Sequence, residues 1–235
     1  MALIPLYDKN PTKKSPVINW ILIILCIMIF VLQSSLSFHE NKIFILKFGM
    51  IPSVLLGVSE LSPEIRVIPS ILSSITYIFL HGSWLHLIGN MIYLYIFGDN
   101  IEDCLGKKKY LLFFVLCGCF AGFSQAFINM NSNIPMIGAS GSVFGILGAY
   151  FILFPKAKIK VLLFIIPFNI SSMYLIGGYV FLQFLLLDTK SSDESIAYIA
   201  HIGGFFSGII LIKILIKRKI FNNQKTNKGT LPSSK

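Results

Sequence analysis

VINWILIILCIMIFVLQSSL, residues Val17 to Leu36, runs without an Asp, Glu, Lys or Arg. As a helix rising 1.5 Å per residue it spans about 30 Å, the thickness of a bilayer's hydrocarbon core. Lys9, Lys13 and Lys14 precede it. A cleaved leader would end on small residues in an A-x-A pattern. Gln33, Ser34, Ser35 and a long loop follow instead, so the segment reads as a retained helix.

Working outward, the same pattern repeats. The chain has 235 residues, 55% hydrophobic and only 13% charged, against about a quarter charged in soluble domains. Its charges cluster between apolar runs, which predicts an all-α, polytopic membrane protein built as one six-helix bundle. The remaining crossings read as Leu85 to Ile101, Tyr110 to Ile128, Ser140 to Phe154, Val161 to Leu187 and Ser195 to Ile216. The fourth is short for a bilayer and must borrow flanking residues.

The net charge of +10 does not point to nucleic acid, because the lysines flank the apolar runs. They read as topology signals and as contacts to anionic lipid head groups. Six crossings place Lys9–Lys14, Lys107–Lys109, Lys156–Lys160 and Lys213–Lys219 on one side, the cytoplasm by the positive-inside rule. Loops 38–66, 130–139 and 188–194 then face outward. The stretch 67–80, broken by Pro69, Ser73 and Ser74, would spoil this arrangement as a crossing and is assigned to the outer loop. The predicted organisation is a cytoplasmic segment 1–16, a membrane domain 17–217 and a disordered cytoplasmic tail 218–235. Cys26, Cys104, Cys117 and Cys119 form no disulfide framework and read as packing residues.

Polar residues inside spans are costly and mark functional sites. Span two opens with His81, His86 and Asn90; span four opens with Gly138-Ala-Ser140-Gly141; span six carries Ala200-His201-Ile-Gly-Gly204, with Gly208 beyond. All fall in the outer half of the bilayer. His86 and Asn90, four apart, share one helix face. A serine hydroxyl needs an adjacent base, and His201 can serve. The oxyanion of acyl transfer needs donors, which Asn90, His86 and the backbone N–H of Ser140 at a helix N-terminus can supply. No acid lies near His201, so the expectation is a Ser–His dyad. Gly141, Gly145 and Gly148 on span four, and Gly204 and Gly208 on span six, predict close approach of those two helices.

These motifs resemble the rhomboid family of intramembrane proteases. His81-Gly-Ser-Trp-Leu-His86-Leu-Ile-Gly-Asn90, Gly138-Ala-Ser140-Gly141 and Ala200-His201-Ile-Gly-Gly204-Phe-Phe-Ser-Gly208 match its blocks in order, and the resemblance covers about residues 1 to 217. It implies Ser140 as nucleophile, His201 as base, and His86 and Asn90 in the oxyanion hole. It further implies Glu102 as a structural acid, Phe144 as the ring packed on the base, and span five as the element that admits substrate. His81 is expected to be structural more than chemical. The expected substrates are other proteins' transmembrane segments, cut near the outer face by an enzyme of the bacterial inner membrane, without cofactor or metal. One departure stands out: many relatives carry Trp-Arg in the outer loop where Val67-Ile68-Pro69-Ser70 stands here.

Three other functions compete. A metal site on His81, His86 and His201 would need close ligand spacing such as H-E-x-x-H, which the sequence lacks. A channel would need a polar stripe along the spans, and none is present. An inactive client-binding relative would typically lack the serine or the histidine, and both are retained.

Overall fold

The computed structural model describes residues 4–187 and 198–216. Its elements in chain order are β1 (Ile4–Asp8), α1 (Val17–Ser35), α2 (Phe38–Phe48), α3 (Pro52–Leu55), α4 (Ser73–Thr76), α5 (Trp84–Leu105), α6 (Lys107–Ile128), α7 (Ser140–Leu153), β2 (Lys158–Leu163), β3 (Ile166–Ser171), α8 (Ser172–Leu186) and α9 (Tyr198–Leu215). The chain is a mostly helical integral membrane protein. Helices α1, α6 and α9 are each long and apolar enough to cross a bilayer. The bent pair Ser70–Phe79 and Trp84–Leu105, turning through 83°, can count as a fourth span, while α7 and α8 are shorter apolar helices.

α7 is the hub. It packs along α9 with almost no side chain between them. A Cβ on Gly204 would strike the Gly141 carbonyl, one on Gly208 the Gly145 carbonyl, and one on Gly148 the Phe205 carbonyl. Most of α7 is buried, from Gly141 through Tyr150, so its N-terminus is held in place by the helices packed around it.

The end of the bundle that carries the basic clusters, the inner end on the expected orientation, is knitted by polar side chains. Pro16 precedes α1 and offers it no side-chain cap. The carboxylate of Glu102 on α5 takes that place, accepting from the backbone N–H of Ile18 (3.1 Å) and Asn19 (2.8 Å). Asn19 donates to the Leu94 carbonyl and accepts from the Tyr110 hydroxyl, tying α1 to α5 and α6. Asp8 of β1 accepts from Asn100 (3.0 Å) and Tyr150 (2.7 Å). The basic clusters meet here: Lys9 N–H donates to the Lys158 carbonyl, Lys13 N–H to Asp103, and Lys109 Nζ to the Leu215 carbonyl.

The opposite end, the outer one on the same expectation, is held differently. Ser37 and Glu40 form a capping box that starts α2. Met50 pairs through its backbone with Met136, and Thr76 Oγ1 donates to the Phe48 carbonyl. Those bonds, with Tyr77 O–H donating to the Gly118 carbonyl, anchor the outer loop in a chain that lacks the Trp-Arg pair. The stretch 67–80 is a set of short helical turns leading into α5 at the 83° bend.

Two expectations need correction. The fold is not purely helical: β1, β2 and β3 form an antiparallel sheet in that order. The predicted fifth span from Val161 is also too long, because residues 158–171 are a hairpin and α8 begins only at Ser172. Lys158-Ile-Lys160-Val161 alternates polar and apolar, and Ile159 and Val161 are fully buried while Lys158 is exposed. That period of two is a strand signal, masked by the apolar run after it. The predicted loop 188–194, the start of span six at Ser195 and the tail 218–235 lie outside the described residues.

Candidate active site

Five helices deliver the site. Ala139 is the N-cap of α7 and no side-chain hydrogen bond caps the helix, so Ser140, the first helical residue, has its hydroxyl free of capping duty. Gly138, at φ +119°, makes the turn before it. Its backbone is pressed on His86, since a Cβ there would come within 2.6 Å of the ring. Ser83 caps α5 by accepting from the His86 N–H, which fixes where His86 and Asn90 enter the bundle. The start of described α9 is fastened by the Ala200 N–H donating to Gln125 of α6 (3.2 Å).

Ser140, His201, His86, Asn90 and Phe144 line one cavity of about 860 Å³, with Tyr179 of α8 on its wall. The Phe144 ring lies flat on His201, centroids 4.3 Å apart and planes within 7°. Asn90 is buried, and its Nδ2 has no hydrogen-bond partner among the described residues. A buried donor left open costs free energy, so its placement in the cavity wall is a feature to explain.

The other predicted positions divide. His81 is buried beside the cavity with its ring 5.1 Å from that of His86, edge to face. Its backbone is clamped by Gln33 of α1, which accepts from the His81 N–H and donates to its carbonyl. Gly141 lines the cavity and Gly204 and Gly208 form the α7–α9 contact. Glu102 lies at the opposite end of the molecule, capping α1. Among the described residues no group of three or more His, Cys, Asp or Glu side chains is arranged to hold a metal ion.

Sequence reading missed Gln183. This α8 residue is buried, and its Oε1 lies 2.8 Å from His201 Nδ1. A single amide in an otherwise apolar helix was the available signal.

Sequence similarity to known proteins extends over most of the elements described above. The Rhomboid domain profile matches residues 69–218. The rhomboid protease GlpG of Haemophilus influenzae is 27% identical over 202 residues, covering 86% of this chain and 92% of that protein. The presenilin-associated rhomboid-like protein A, mitochondrial, of Danio rerio is 29% identical over 154 residues, covering 64% of this chain and 38% of that protein. The mitochondrial rhomboid protein 1 of Saccharomyces cerevisiae is 28% identical over 147 residues, covering 61% and 41%. The chain thus spans nearly all of the bacterial relative and about two fifths of the mitochondrial ones.

Proposed function

This chain belongs to the rhomboid family of intramembrane serine proteases, and on that premise we propose that Ser140 and His201 form its catalytic dyad. The observation that carries the reading is that both line the same cavity as Asn90, whose Nδ2 has no hydrogen-bond partner among the described residues. His201 takes the proton from the Ser140 hydroxyl as its oxygen attacks the scissile carbonyl carbon. The C=O electrons move onto oxygen, and Asn90 Nδ2, a His86 ring N–H and the Ser140 backbone N–H donate to that oxyanion. His201 then hands its proton to the departing amine. Water activated by the same base hydrolyses the acyl-enzyme, which an open cavity of this size supplies.

The substrates are transmembrane segments of other membrane proteins, cut near the outer face. A helix must unwind to expose a bond to Ser140, so Gly, Pro or polar residues near the cut assist. In this reading α1, α5, α6, α7, α8 and α9 are six crossings, with 1–16 and 218–235 in the cytoplasm of a bacterial cell, residues 17–217 as the protease domain, and anionic lipids against the lysines. The hydrogen bonds joining the basic clusters at one end support that orientation.

The test is a fluorophosphonate probe applied to purified wild type, Ser140→Ala and His201→Ala, alongside cleavage of a model transmembrane substrate. Labelling that maps to Ser140 and disappears in both variants is expected. A well-folded wild type that neither labels nor cleaves favours a client-binding role instead.

A further inference from the structure

The base is held by more than its neighbour on α7. Gln183 Nε2 lies 3.4 Å from the Tyr179 carbonyl one turn earlier on α8. A carbonyl only accepts, so that end of the amide is the NH2. The other end, Oε1, therefore faces His201 Nδ1 at 2.8 Å. An amide oxygen also only accepts, so Nδ1 must carry the ring proton. In a neutral imidazole that leaves Nε2 bare, as a base requires.

A second observation fastens the same helix to the same ring. Tyr93 of α5 stacks on Tyr179 (5.6 Å, 23°), Tyr179 on Phe144 of α7 (5.1 Å, 30°), and Phe144 on His201 of α9 (4.3 Å, 7°). Tyr179 and Gln183 are one turn apart and lie on one face of α8. Helix α8 thus supplies both a member of the ring stack and the acceptor that selects the tautomer.

We propose that Gln183 is a positioning residue for catalysis: its side-chain oxygen orients His201 and fixes the Nδ1-protonated form, so the base is complete only while α8 is docked. This rests on the dyad reading above and adds a third member, a neutral amide, delivered by a different helix.

The experiment compares wild type, Gln183→Met and Gln183→Glu on a model transmembrane substrate, with Ser140 labelling by a fluorophosphonate. Methionine keeps the volume and loses the amide oxygen; glutamate keeps an acceptor oxygen at the same reach. Gln183→Met should lose about 10- to 100-fold in kcat, within the range a general base contributes, with KM little changed. Gln183→Glu should recover most of the loss. In parallel, 15N spectra of the histidine rings, assigned by subtraction of His201→Ala, should show His201 protonated at Nδ1 in wild type and not in Gln183→Met. A wild-type kcat in Gln183→Met, a glutamate variant no better than methionine at equal thermal stability, or wild-type His201 protonated at Nε2 would each overturn the proposal. The last measurement decides the matter if Gln183→Met does not fold. Failure of the dyad itself looks different, because wild type then labels nowhere. Failure of this inference leaves wild type labelled at Ser140 and Gln183→Met equally reactive.

Discussion

Asn19 and Asn90 are both buried asparagines on membrane helices, at 1% and 7% exposure, yet they are treated in opposite ways. At the inner end, Asn19 has both amide ends engaged, by the Leu94 carbonyl and the Tyr110 hydroxyl. At the outer end, Asn90 Nδ2 has no hydrogen-bond partner among the described residues, in the wall of the cavity that Ser140 and His201 also line. One asparagine is a structural bond; the other, on the proposed reading, is a donor held for the oxyanion. The comparison generalises. Glu102 at the inner end caps a helix that has no cap of its own, while His86 at the outer end is braced from behind by His81 and Gly138 and faces the cavity. On the proposed reading, stability and chemistry lie at opposite ends of the bundle.

The strongest attempt to break that division acts on what joins the ends. Gly204→Val forces a side chain into the Gly141 carbonyl on the facing backbone, and backbone cannot give way cheaply. Both thermal stability and Ser140 labelling should be lost; wild-type labelling would mean that the helices tolerate separation and that the close packing of α7 on α9 is incidental. Next in size, Asn90→Ala should cost about 10²-fold in kcat, the scale of one oxyanion donor, with an unchanged or slightly raised melting temperature because an open buried donor is removed. A drop in stability with kcat intact would place Asn90 with Asn19. Asn19→Ala is the mirror image. It should lower stability by about 1–3 kcal/mol by stranding Tyr110 and Leu94, while cleavage per folded molecule stays at the wild-type level. A loss of kcat in fully folded Asn19→Ala protein would show that the two ends are coupled.

Much of this was readable before the structure, and the reasons are physical. Val17–Ser35 and Lys107–Ile128 are long, apolar and bounded by charge, so burial in lipid dictates them locally. The histidines, Asn90 and Ser140 stood out because a membrane makes every polar residue conspicuous. The hairpin at 158–171 escaped because a short alternating strand was read as the beginning of an apolar span. Its pairing partner, Ile4–Asp8, is about 150 positions away, and no local pattern announces such a contact. Gln183 escaped for a related reason. Its meaning depends on the rotation of α8 about its own axis, which only packing against α7 and α9 decides. The expectation of a Ser–His dyad came from finding no acid near His201; the structure adds an amide on another helix, Gln183, facing the same ring.

The smallest expected effect tests the inner end through its charge. Burial pushes the Asp8 carboxyl up to about 6 from an ordinary value of 3.8, against the opposing influence of the hydrogen bonds it accepts from Tyr150 and Asn100. Because the folded value is raised, Asp8 binds its proton more tightly in the folded protein. Its contribution to stability is fully present below about 3.8 and is lost as pH rises through about 6. Asp8→Asn fixes the side chain as neutral and keeps an oxygen able to accept from Tyr150. In detergent melts, the variant should therefore match or exceed wild type at pH 8 by about 2–4 °C, and that advantage should shrink on going to pH 5. Ser140 labelling should be unaffected at either pH, since the strand it anchors is at the far end from the cavity. A wild type that gains on the variant as pH rises would mean that the ionised carboxylate is the form the inner network was built to hold, making Asp8 a counterpart of Glu102 rather than a buried acid kept near neutrality.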